Sequence, residues 1–85
     1  MILFPPPQYD VPPPMPVIDN IMGWDELQKW CPQVTGRVLI QGQFFYGCAK
    51  MIDGKCYLWR VDDKFALQHE RAHCAGWPSN HPGGW

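Results

Sequence analysis

Phe44-Phe45-Tyr46-Gly47-Cys48-Ala49-Lys50-Met51-Ile52-Asp53-Gly54-Lys55-Cys56-Tyr57-Leu58-Trp59-Arg60-Val61 contains two β-type runs joined by an Asp-Gly pair. Asp-Gly suits a two-residue hairpin loop, because both central residues of that turn need positive φ. The loop also sets the register. Cys48 then faces Trp59 and Cys56 faces Met51, so Cys48 and Cys56 cannot be cross-strand partners. Upstream, Arg37-Val38-Leu39-Ile40-Gln41 has the same β character, and Gly42 marks a turn after it. The expectation is a three-stranded antiparallel meander.

After the hairpin the period changes. Asp62 or Asp63 can cap a helix of about 63–75, with Phe65, Ala66, Leu67 and Ala72 as its apolar positions. Gly76 suits the left-handed residue that follows a helix, and Pro78 prevents continuation. Before the strands, Trp24, Leu27, Trp30 and Cys31 recur at helical spacing, with Asp25 and Glu26 in the first turn. This predicts a short helix over about 23–31, stopped by Pro32. Residues 1–18 carry the runs Pro5-Pro6-Pro7 and Pro12-Pro13-Pro14. Such a segment favours polyproline II and reads as an extended arm. Its apolar content (Ile2, Leu3, Phe4, Tyr9, Val11, Met15, Val17, Ile18) is high for a solvated linker, so it should lie along a surface, its own or a neighbour's. The chain thus divides into a Pro-rich arm, 1–18, and one α+β domain, 19–85.

A foldable unit this small sits near the limit at which a chain buries enough core by itself, and a metal, disulfides or a partner often completes it. Net charge is −1, and the seven Lys and Arg are scattered rather than striped, which argues against nucleic acid as partner. No apolar run has the length of a membrane span, and Met1-Ile2-Leu3-Phe4 is too short for a signal-peptide core. The expected location is cytoplasmic or on a virion. Cys31, Cys48, Cys56 and Cys74 form no C-x-x-C pair, and free thiols are favoured over two disulfides.

All three histidines fall within 69–81, and the first five residues of that stretch read His69-Glu70-Arg71-Ala72-His73. Positions i and i+4 share a helix face one turn apart, so both imidazoles can reach one metal ion. The break at Gly76 lets the chain return, which makes His81 the best candidate for a third ligand. Zinc takes four tetrahedral ligands, and a catalytic site leaves one position for water. Glu70 is then placed to take a proton from that water and give it to a leaving amine. Cys74 lies about a hundred degrees round the helix from His73 and points elsewhere. Of the five tryptophans, Trp30 and Trp59 are expected to pack helix on sheet, while Trp77 and Trp85 flank the candidate site. Tyr46 and Tyr57 are both possible oxyanion donors, and neither is singled out.

His69-Glu70-x-x-His73 resembles the active-site helix of the zincin metallopeptidases, and Gly76 with His81 is similar to the longer metzincin motif. The resemblance covers about thirteen residues. It implies zinc, with His69 and His73 as ligands and Glu70 as catalytic acid and base. His81 comes two residues later than the metzincin spacing, and no methionine follows it. The function expected is hydrolysis of a peptide or related amide. The alternative is a non-enzymatic component of a larger assembly, such as a phage virion or secretion apparatus. There the arm would contact a protein partner, and the histidines would staple the tail.

Overall fold

In the computed structural model, residues 3–84 are described. The hairpin is as expected: β2, Gly47–Ile52, pairs antiparallel with β3, Lys55–Arg60, placing Cys48 opposite Trp59 and Cys56 opposite Met51. Asp53 and Gly54 both adopt positive φ in the turn. The third strand is not the expected one. It is β1, Val17–Ile21, and it runs parallel to β3 on the side opposite β2, giving the order β1-β3-β2. The antiparallel meander is thus corrected to a mixed three-stranded sheet, within a small α+β fold of two helices.

Both halves of the correction have local causes. Arg37–Gln41 forms no strand, and β2 remains an edge of the sheet. The stretch entering β2 is held by a side chain instead: Gln28 donates to the Phe45 carbonyl (2.6 Å) and accepts from its amide (2.8 Å), imitating a strand partner. Val38 and Ile40 are left 92% and 70% exposed on the resulting loop. β1 takes its first two residues, Val17 and Ile18, from the stretch read as arm. It is fixed by Cys56 donating to the Pro16 carbonyl and Met22 donating to the Arg60 carbonyl, both at 2.9 Å. Arg60, almost buried, also forks onto both Asp19 oxygens at 2.9 and 2.7 Å. Such bidentate pairs are geometrically specific.

Helix α1, Trp24–Thr35, runs four residues past the expected stop, with Pro32 inside it. Gly36, at φ 69°, supplies the actual end. Thr35 Oγ1 donates to the Cys31 carbonyl, which helps satisfy the last turn. Helix α2, Lys64–Cys74, starts where expected: Asp63 accepts from the Phe65 and Ala66 amides.

The cysteines correct a second expectation. All four are paired, Cys31 with Cys48 and Cys56 with Cys74, with Cα atoms 5.8 and 5.9 Å apart. The first bond ties α1 to β2 and the second ties α2 to β3, so each half of the core contains a cross-link. One cluster holds Leu27, Cys31, Phe45 and Cys48; the other holds Cys56, Leu58 and Cys74. Closing loops of 17 and 18 residues stabilises by about 3 kcal/mol each in the chain-entropy view. The expectation of free thiols rests on the missing signal-peptide core, and the fold overrides it by bringing each pair of cysteines within bonding distance.

The proline-rich segment packs against its own domain. Ahead of a short 3-10 turn at Pro7–Tyr9 the Phe4 ring meets Phe65 of α2 edge-on at 5.4 Å, and just after it Asp10 accepts from Gln68. No helix among the described residues is long and apolar enough to cross a membrane.

Candidate metal centre

His69 and His73 project from the same face of α2, and the turn after Gly76 (φ 107°) brings His81 back to them. His81 itself has φ 58°, a left-handed conformation that a non-glycine residue adopts at some cost. The His69 Nε2 atom is 3.2 Å from Nε2 of His73 and 3.1 Å from Nε2 of His81.

The opposite ring nitrogens explain these short distances. His69 Nδ1–H donates to the Leu3 carbonyl and His73 Nδ1–H donates to the Trp77 carbonyl, each at 2.8 Å. A carbonyl only accepts, so both Nδ1 atoms carry the proton and both Nε2 atoms present lone pairs. Two lone pairs at 3.2 Å repel unless a cation lies between them. Nitrogens about 2 Å from a tetrahedral ion sit about 3.3 Å apart, close to the spacing seen here. Fixing a ligand ring through its second nitrogen is the usual support for a metal-binding histidine. His69, His73 and His81 can therefore hold a metal ion.

Burial keeps the set neutral. Desolvation lowers all three histidines, His73 to about 4, against the opposing pull of its bond to Trp77. Trp77 is the floor of the site. It is 2% exposed, stacks on His73 at 5.0 Å, meets His69 and His81 edge-on, and donates Nε1–H to the Pro82 carbonyl. Its expected place beside the site is met; Trp85 lies outside the described residues.

Glu70 faces the sheet side of α2, 5% exposed, with Oε2 3.9 Å from His69 Nε2. It is beside the ligand set rather than in it. Desolvation raises its carboxyl to about 8, opposed by the positive charge of Arg37. Its close approach to the sheet depends on Gly47, a residue the sequence analysis did not single out. A Cβ there would lie 2.8 Å from Glu70 Cγ and 2.9 Å from the Trp59 carbonyl oxygen. A glycine inside a strand pattern is the one signal that marked it.

The site opens into a cleft of ≈ 760 Å³ between α2, β2 and the loop of residues 36–46. Tyr46 and Arg37 line it; Tyr57 does not, and it stacks on Trp59 instead. Trp30 meets Trp59 edge-on, as expected for helix–sheet packing, although it is partly exposed. Cys74, turned from the histidine face as expected, is bonded to Cys56. Compared with protein-family models, curated proteins and solved structures, the chain matches none.

Proposed function

We propose that the protein is a zinc-dependent hydrolase of peptide or related amide bonds. The observation carrying this reading is the pairing of an open three-nitrogen site with an adjacent, nearly buried carboxyl in one cleft. Neutral imidazoles at tetrahedral spacing suit zinc, and three protein ligands leave its fourth position free. Zinc held there supplies Lewis acidity and a nucleophile at neutral pH. The chain's own groups do the rest. Glu70, beside the ligands, takes the proton of the attacking water and delivers it to the departing amine. Its ionised form is favoured by positive charge nearby, and Arg37 already acts in that direction. Trp77 backs the three imidazoles.

A second reading has its own observation. The site joins three separate parts of the chain: the Leu3 carbonyl holds His69, α2 supplies two ligands, and the tail supplies His81. A structural zinc would staple those parts, and in an assembly component the proline-rich segment would also meet a partner. Glu70→Gln distinguishes the two readings. The hydrolase predicts that zinc content and melting temperature hold while cleavage of a quenched peptide library falls at least about a hundredfold. A wild-type protein that binds zinc and cleaves nothing in that library leaves the staple.

A further inference from the structure

The charges around the cleft are segregated. Among the described residues lining it, the cations are Arg37 and Lys50, and the only carboxylate is Glu70. The remaining acids lie elsewhere: Asp19 on Arg60, Asp25 and Glu26 in the first turn of α1, Asp53 in the hairpin turn, Asp62 and Asp63 before α2, and Asp10 against Gln68. The Arg37 guanidinium is exposed and makes no hydrogen bond or ion pair among the described residues; only its backbone amide is engaged, to Thr35 Oγ1 at 3.1 Å. Arg37 lines the same cleft as His69, Glu70, His73 and His81. A fork of donors in the wall of that cleft, without a hydrogen-bond or ion-pair partner among the described residues, has the geometry to receive a carboxylate.

We infer that Arg37 is a specificity-determining residue that pairs with a carboxylate of the substrate, so that the cleft takes peptides carrying a free carboxylate close to the bond cleaved. This rests on the hydrolase reading above. The carboxylate has two sources, the C-terminus of a short peptide or an acidic side chain next to the scissile bond. Two cations are too few to hold a nucleic-acid strand, which favours a peptide.

Binding can be tested without turnover. Protein loaded with cobalt(II) is titrated with three dipeptidyl hydroxamates, and the visible absorption of the metal is followed. One ligand ends in a free carboxylate, one is C-terminally amidated with an aspartyl side chain, and the third is amidated and neutral. One or both carboxylate ligands should bind about fivefold tighter than the neutral one, the size of an exposed ion pair. That preference should vanish in Arg37→Gln and shrink in high salt. Whichever acidic ligand shows it identifies the source. Equal binding of all three overturns the inference and leaves the open metal site intact. An unchanged preference in Arg37→Gln also overturns it, since the carboxylate then has another partner. No spectral change with any ligand overturns the open site itself, and the hydrolase reading with it.

Discussion

At the scale of single residues, the site depends on one contact that leaves no room for a methyl group. Gly47 lets Glu70 rest against β2. Gly47→Ala should destabilise the fold by about 1–3 kcal/mol, as overpacking does. It should also displace the Glu70 carboxyl, so peptide cleavage falls further than stability explains while zinc stays bound. Thermal melts and zinc content measured on one sample check both parts. Glu70 also gives a pH signature in metal-free protein. Its carboxyl titrates at about 8 in the fold against an ordinary 4.5, so the native state holds the proton more tightly. The stability this gives is fully present below 4.5 and is lost as pH rises through 8. The three histidines oppose this, because the fold lowers them and the unfolded chain still binds protons near their ordinary 6.5. The comparison with Glu70→Gln removes their share: between pH 6.5 and 8 the metal-free protein should lose stability relative to that variant by ~1 kcal/mol per pH unit. An equal pH dependence in the two proteins would assign the effect to another group.

At the scale of elements, β1 is held to β3 by its ladder and by the fork between Arg60 and Asp19. Asp19→Ala leaves a nearly buried guanidinium without its partner and should cost about 2 kcal/mol in a denaturant titration. Loss of less than half that would place the burden on the ladder alone. β1 also shows where sequence reading stops. The hairpin, the Asp63 cap and the His69–His73 face were legible because each is set by residues within a few positions of one another. β1 is parallel to a strand some forty residues away, follows a proline run, and carries Asp19 and Asn20 at its centre, so no local period marks it. Arg37–Gln41 fails for the converse reason: its β propensity is strong, but the Gln28 side chain engages the Phe45 backbone on the stretch that would receive it. The clustering of the three histidines could be read from spacing and a glycine exit. The Gln28 clamp on Phe45, the Gly47 approach and the cleft itself are tertiary, and of these only the Gly47 approach leaves a local mark, a glycine inside a strand.

At the scale of the whole molecule, a small core is completed by two cross-links and a site that gathers distant parts of the chain. Zinc at a hundred times its dissociation constant stabilises by about 2.7 kcal/mol, which for a domain of this size raises the melting temperature by about 10–20 °C. Calorimetry with zinc and with chelator should show that difference, and His81→Ala should abolish most of it. A protein that melts identically in both conditions and carries no metal removes the zinc site from consideration. The cross-links have another effect. Cys31–Cys48 spans the exposed loop 36–46 that walls the cleft. A protease that nicks this loop therefore makes two chains that stay bolted together, one carrying α1 and the other carrying α2 with the histidines. The cut would be invisible on a non-reducing gel and appear as two fragments only after a reductant is added. Damage to the wall of the cleft can thus accumulate in a preparation that still migrates as one intact species.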